Sequence, residues 1–76
     1  MSMSSGSQPV PGPLARAFSA HVRMVIERDR VTQEALAKAI GMSRTYLGKR
    51  LRDEMQFTLN DVEAISLALG LDLPKL

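Results

Sequence analysis

A short stretch near the middle of the chain concentrates side chains that donate hydrogen bonds. Serine, threonine or basic residues stand at six of its positions: Ser43, Arg44, Thr45, Lys49, Arg50 and Arg52. Guanidinium and ammonium groups bind phosphate oxygens and the O6 and N7 atoms of guanine, and a threonine methyl group contacts thymine. These residue types therefore have the chemistry needed to bind a nucleic acid, provided that one surface presents them together.

Leucine spacing predicts that these residues lie on a helix. Leu47 and Leu51 are four residues apart and form an inward face, and Ser43 is a suitable N-cap, so we predict a helix over residues 43–53. At about 100° per residue, four positions fall opposite the leucines and are predicted to be exposed. They are Thr45, Gly48, Lys49 and Arg52.

Two residues of this helix have particular positions. Arg44 lies in the first turn, where a helix pointing into the major groove presents a side chain to base edges or phosphates. Gly48 is unusual because a glycine inside a helix costs about 1 kcal/mol relative to alanine. Two explanations fit Gly48 equally well: it allows a DNA backbone to approach closely, or a solvated helix simply tolerates it.

Another helix precedes this one. Leu36 and Ile40 lie one turn apart, and Ala37 leaves room for a second helix to approach closely. Gly41 supplies the positive φ that a reversal within two or three residues requires. Residues 33–52 therefore predict two short helices joined by a tight turn, a helix-turn-helix.

Further residues extend the motif on both sides. Its elements are Thr32 and Gln33 opening the first helix, Ala37 within it, Gly41 at the turn, Ser43 and Arg44 opening the second helix, and Leu-Ala-Leu-Gly at 67–70. In these positions, residues 32–73 resemble the Cro-like or lambda-repressor-like helix-turn-helix family of phage and bacterial regulators. Many members place an apolar residue three after Leu47, whereas this chain has Arg50 and uses Leu51, a variant similar to lac-repressor-type reading helices.

The resemblance implies that helix 43–53 inserts into the major groove of double-stranded DNA. Base contacts are then expected from Arg44, Thr45 and Lys49. Gln33 and the free amides at the start of its helix are expected to bind a phosphate and fix the register. Backbone contacts are also expected from Ser43, Arg50 and Arg52.

A chain of this size covers about half of a typical operator, so we expect a homodimer on a palindromic site, with repression as its default output. Leu71, Leu73 and Leu76 either form the dimer contact or close the core. The alternative is a protein-interaction module of the antitoxin or anti-repressor type, which reuses the same bundle and leaves the basic helix solvated.

The apolar pattern elsewhere predicts an all-α fold, a compact bundle of four to five short helices. A first helix of some fifteen residues follows Pro13, and a fourth begins at a capping box of Thr58 and Asp61 and ends at Gly70. A short fifth helix is predicted from Asp72. The apolar stripes of the first and fourth helices include Leu14 and Leu59, and the predicted core consists of Phe18, Val22, Val25, Leu36, Ile40, Leu47, Leu51, Ile65 and Leu69.

Composition separates an arm from a domain and gives the domain an uneven charge. Residues 1–12 are rich in Ser, Gly and Pro and predict a disordered arm, and residues 13–76 form the predicted domain. Residues 1–52 contain nine Lys or Arg and three Asp or Glu. Residues 53–76 contain one Lys and five Asp or Glu. The net charge is therefore +6 in the first segment and −4 in the second. This distribution favours a protein that places one face on an anionic polymer and turns another face away from it.

Several classes of protein are not expected. The chain has no cysteine and one histidine, His21, which we interpret as a partly buried spacer on the first helix. Neither a catalytic constellation nor a glycine-rich phosphate loop is visible, so we expect no enzyme, metal, cofactor or small-molecule substrate. No apolar run approaches the roughly 18 residues that cross a bilayer, which favours the cytoplasm over a membrane.

Overall fold

The computed structural model describes residues 10–72, which contain four α-helices and no strand. They are α1 (Pro13–Arg28), α2 (Gln33–Ile40), α3 (Arg44–Leu51) and α4 (Leu59–Leu69). Helix α2 packs on α3 and on α4, and α1 packs on α3. The predicted all-α bundle is confirmed, and α3 occupies the centre of the predicted 43–53 helix.

Side-chain caps begin three of the helices. Thr32 Oγ1 accepts a hydrogen bond from the Ala35 N–H at 3.0 Å, and Ser43 Oγ accepts one from the Tyr46 N–H at 3.1 Å. At α4, Thr58 and Asp61 each accept a hydrogen bond from the other's backbone N–H. This reciprocal pair is the predicted capping box, and it satisfies two amides that the helix leaves unpaired.

Two glycines end helices in the left-handed conformation. Gly41 has φ 70° after α2, and Gly70 has φ 71° after α4. In each case the next N–H reaches back to the helix, from Met42 to the Ala37 carbonyl at 2.9 Å and from Leu71 to the Ser66 carbonyl at 2.8 Å. Residues with a side chain rarely adopt this φ, so both predicted glycine stops are confirmed.

All four helices contribute residues to one core. Its buried apolar residues are Val22, Val25, Ile26, Leu36, Ala37, Leu47, Leu51 and Ile65. Phe18, Ile40 and Leu69 pack against it while remaining partly exposed. Phe18 also meets Phe57 edge to face, with ring centroids 5.3 Å apart.

Three predicted burials are wrong. Leu14 is 84% exposed and Leu59 is 87% exposed. Both lie in the first turn of their helices, where the stripe extends beyond the packed neighbours. His21 is exposed rather than partly buried, since it lies beside the buried stripe of α1 and not within it.

Two predictions fall largely on residues outside the described range. Of the predicted arm 1–12, only residues 10–12 are described, and within them Pro11 is buried and its carbonyl accepts a hydrogen bond from Arg16 Nη1 at 2.9 Å. The short fifth helix, with Leu73 and Leu76, also lies outside the described residues. Leu71 is described and packs against the core.

Candidate nucleic-acid interface

An open groove of about 320 Å³ lies between the start of α2 and the outer face of α3. Its lining residues are Gln33, Arg44, Thr45, Gly48 and Arg52. Four of the seven predicted DNA contacts therefore share one concave surface, although Gln33 comes from a different helix. The capped turn at Gly41 brings them together, because it reverses the chain between α2 and α3.

The first turn of α3 presents Arg44 and Thr45 to solvent. Within residues 10–72, neither Arg44 nor Lys49 forms an ion pair. Ser43 is also exposed, and its oxygen caps α3 while its hydroxyl proton stays available for donation. The residues predicted to read bases are therefore not held by acidic groups of the described chain.

Gly48 is buried, and the helical-wheel prediction of an exposed Gly48 is wrong. A Cβ atom built on Gly48 would lie 3.0 Å from Arg52 Nη1 and 3.5 Å from Gln33 Oε1. The side chains of Gln33 and Arg52 thus cover this position from two sides. A wheel places residues by angle alone and does not register long side chains that fold over a neighbour.

Arg52 is tied to the residue two positions later. Its Nε donates to Glu54 Oε2 at 2.6 Å, and the Arg52 side chain remains 58% exposed. The hydrogen bond from Arg52 lowers the pKa of the Glu54 carboxyl below its usual value, with a further contribution from the charges of Arg52 and Lys49. Glu54 therefore stays ionised beside the groove.

Arg50 points away from the groove toward α4. Its Nε lies 3.2 Å from Asp61 Oδ2, its side chain is only 15% exposed, and its guanidinium carbon lies 5.4 Å from the Tyr46 ring centroid. The Nε–H direction does not meet hydrogen-bond geometry, so the contact with Asp61 is an ion pair only. Because Asp61 Oδ2 also accepts the Thr58 N–H, the ion pair joins the middle of α3 to the start of α4.

A second connection, which the sequence analysis missed, holds the end of α3 against α1. Asp53 follows α3 with φ 62°, and its Oδ1 accepts a 2.6 Å hydrogen bond from the fully buried Ser19 hydroxyl. Arg23 donates to the Leu51 carbonyl and lies 3.8 Å from Asp53 Oδ2. The available signal was Ser19 itself, a polar residue three positions before Val22 on the apolar stripe of α1.

These contacts mix the two charge blocks of the sequence. Asp53, Glu54 and Asp61 all come from the acidic part, and they pair with Arg23, Arg52 and Arg50 of the basic part. The acidic segment is therefore not simply turned away from the basic face. It holds three arginines in place, and among residues 10–72 it leaves Arg44 and Lys49 of α3 without an ion pair.

Comparison with known proteins matches the chain to a family. The sequence model of a family described as helix-turn-helix matches residues 23–76, which include α2, α3 and α4 completely. No curated protein and no solved structure gives a significant match to the chain. Within residues 10–72, no helix is long and apolar enough to cross a membrane. The match covers more than half of the chain and contains the groove, so this protein belongs to the lambda-repressor-like helix-turn-helix family of DNA-binding regulators.

Proposed function

We propose that this protein is a sequence-specific DNA-binding transcriptional regulator, acting as a repressor, that inserts α3 into the major groove. The observation that carries the proposal is the groove that joins Gln33 of α2 to Arg44, Thr45 and Arg52 of α3. A recognition helix needs base-reading side chains in its first turns and phosphate contacts from the helix before it. This groove brings side chains with the chemistry for both onto one surface, which supports the proposal.

Base reading is assigned to Arg44, Thr45 and Lys49. Arg44 and Thr45 are exposed in the first turn of α3, and Arg44 and Lys49 form no ion pair among residues 10–72. An arginine or lysine favours guanine O6 and N7, and the threonine methyl group suits thymine. These residues can therefore contact bases without first breaking an ion pair to a described residue.

Phosphate binding is assigned to Gln33, Ser43, Arg50 and Arg52. Thr32 caps the Ala35 amide, and within residues 10–72 the amides of Gln33 and Glu34 at the start of α2 have no such cap and can bind a phosphate oxygen. Arg50 is held by Asp61 and Tyr46, as Arg52 is held by Glu54, but the Arg50 side chain is far less exposed. Its phosphate contact therefore uses the guanidinium N–H groups that face neither residue.

Two copies on a palindromic operator complete the proposal. A single small module buries roughly 600–1,000 Å² on DNA, and dimers gain affinity by placing two recognition helices in successive major grooves. Bound near a promoter, such a dimer represses by excluding polymerase. The place of action is then the bacterial nucleoid or a phage-infected cell.

The test is selection of bound duplexes from a random DNA pool, followed by affinity measurements across salt concentrations. We expect one enriched motif with two-fold symmetry, and log affinity that falls linearly with log salt concentration. Arg52→Ala should reduce the magnitude of the salt slope by about one because it removes one phosphate contact.

Lys38→Ala is the matched control, since Lys38 is an exposed cation of α2 that does not line the groove. It changes the net charge equally and should leave the slope nearly unchanged. If the folded parent chain enriches no duplex from the pool, the DNA-binding proposal is wrong and the protein-interaction alternative is favoured.

A further inference from the structure

We propose that Gly48 is a positioning residue for DNA binding, because its missing side chain lets the Arg52 guanidinium lie across α3 in the groove. The proposal deepens the DNA-binding function proposed above and rests on it. It replaces both explanations that the sequence suggested for this glycine, a close approach of DNA and simple tolerance on a solvated helix.

The geometry of residues 48 and 52 supports this assignment. They lie one helical turn apart, and a helical side chain leans over the turn that precedes it. Arg52 Nη1 lies 3.0 Å from where a Cβ of residue 48 would stand, which is tighter than most real Cβ contacts, so the guanidinium must shift by a few tenths of an ångström. Gln33 Oε1 lies 3.5 Å from the same point, an ordinary van der Waals distance. A methyl group at position 48 therefore displaces Arg52 before it displaces Gln33.

The other side of the guanidinium is held by Glu54. Arg52 Nε donates to Glu54 Oε2 at 2.6 Å, while Nη1 lies over Gly48. The hydrogen bond to Glu54 restricts a side chain that otherwise has many rotamers, and the space left by Gly48 admits its Nη1 end. Ordering before binding reduces the entropy lost on DNA. Glycine at position 48 destabilises the helix relative to alanine. It offsets this cost by letting the Arg52 guanidinium, a phosphate-binding group, lie beside Gln33, which binds phosphate at the start of α2.

The test is a double-mutant cycle with Gly48→Ala in the parent chain and in the Arg52→Ala background. Affinity for the selected operator is measured by titration, and thermal unfolding is followed for every variant. Gly48→Ala should lower affinity about threefold or more in the parent chain and less than about twofold without Arg52. Its melting temperature should stay equal or rise, because alanine favours the helix over glycine and the displaced atom ends a flexible side chain.

Gly12→Ala is the matched control, because Gly12 lies before α1 with nothing within 4 Å of its Cβ position. It should leave operator affinity unchanged. Gly48→Ala is also measured in a third background, Gln33→Ala. This measurement distinguishes the effect of Arg52 from that of Gln33, the two side chains that cover Gly48. The Gly48→Ala effect should persist there, since Gln33 accommodates the methyl group.

Three results overturn the positioning role while leaving DNA binding intact. They are unchanged affinity of Gly48→Ala, an equal loss with and without Arg52, and a loss that disappears only in the Gln33→Ala background. An equal loss in both Arg52 backgrounds would show that DNA itself approaches Gly48. Absence of duplex binding by the parent chain would instead overturn the proposed function, and the positioning role with it.

Discussion

Arg44 and Arg52 carry the same charge, but the fold gives them different surroundings. Arg52 is held by Glu54 and lies over Gly48, whereas Arg44 is exposed and forms no ion pair within residues 10–72. An ordered guanidinium suits a phosphate whose position is the same in every duplex. An exposed one at the start of α3, with no ion pair to a described residue, can adjust to a base edge, where bidentate geometry determines specificity.

Arg44→Ala should therefore reduce specificity more than general affinity. We expect a loss of roughly 1–3 kcal/mol on the selected operator and a smaller loss on mixed-sequence DNA. Both are measured by titration at one salt concentration, with Arg52→Ala as the comparison. An equal loss on the two duplexes would assign Arg44 to the DNA backbone.

Helix α3 is positioned at both ends and in the middle by neighbouring elements. Ser43 caps its start, Arg50 joins its middle to Asp61 of α4, and Asp53 joins its end to Ser19 of α1. The helix has only eight residues and would be marginal alone. Its orientation therefore depends on these attachments together with Leu47 and Leu51 in the core.

Asp53 makes two contributions, which two substitutions separate. Asp53→Gly removes the hydrogen bond to Ser19 but suits φ 62°, whereas Asp53→Ala removes the hydrogen bond and strains the backbone. We expect Asp53→Gly to lower the free energy of unfolding by about 1 kcal/mol and Asp53→Ala by roughly 1–2 kcal/mol more. Chemical denaturation measures both. Equal losses would mean that the left-handed conformation is not strained, and no loss for Asp53→Gly would remove the role of Ser19.

A substitution in the turn between α2 and α3 tests backbone strain separately from side-chain packing. Gly41 has φ 70° and no atom within 4 Å of its Cβ position, so a Cβ added there meets no steric neighbour. Gly41→Val should lower the free energy of unfolding by more than about 1 kcal/mol, and Gly41→Asn by less, because asparagine tolerates this region. Thermal melting of both variants checks that Gly41→Val loses more stability than Gly41→Asn. Operator affinity of the folded fraction should be unchanged, and a specific affinity loss would place the turn in contact with DNA.

Local rules explain why the helix ends could be predicted and the side-chain contacts could not. Ser43, Thr58, Gly41 and Gly70 each act on backbone groups within a few residues, so their effect is visible in the sequence. The pair Ser19 and Asp53 spans 34 positions, and nothing in local spacing links them. The same limit applies to the site, since the wheel placed Thr45 and Arg52 correctly but could not show that Arg52 covers Gly48.

Across the whole molecule, charge and size together determine how DNA is held. The acidic segment neutralises three arginines by pairing, so the long-range attraction of the basic face is smaller than its sequence charge of +6 suggests. The helix-turn-helix region also offers one short recognition helix per chain. Specific affinity then requires either a larger contact surface or a second copy, and a second copy fits the predicted palindrome.

Operator spacing provides the test of two copies. If two chains bind as a dimer, their recognition helices must lie about one helical turn apart, roughly 10 base pairs. Inserting about five base pairs between the selected half-sites places the half-sites on opposite faces of the duplex and should abolish cooperative binding. Inserting about ten base pairs returns them to the same face, so cooperative binding should weaken far less. Titration monitored by light scattering gives stoichiometry and cooperativity together, and a single half-site serves as the control for monomer affinity. We expect two chains to bind the palindrome with a Hill coefficient above one. Equal affinity per half-site at every spacing would show instead that the chain binds as an independent monomer.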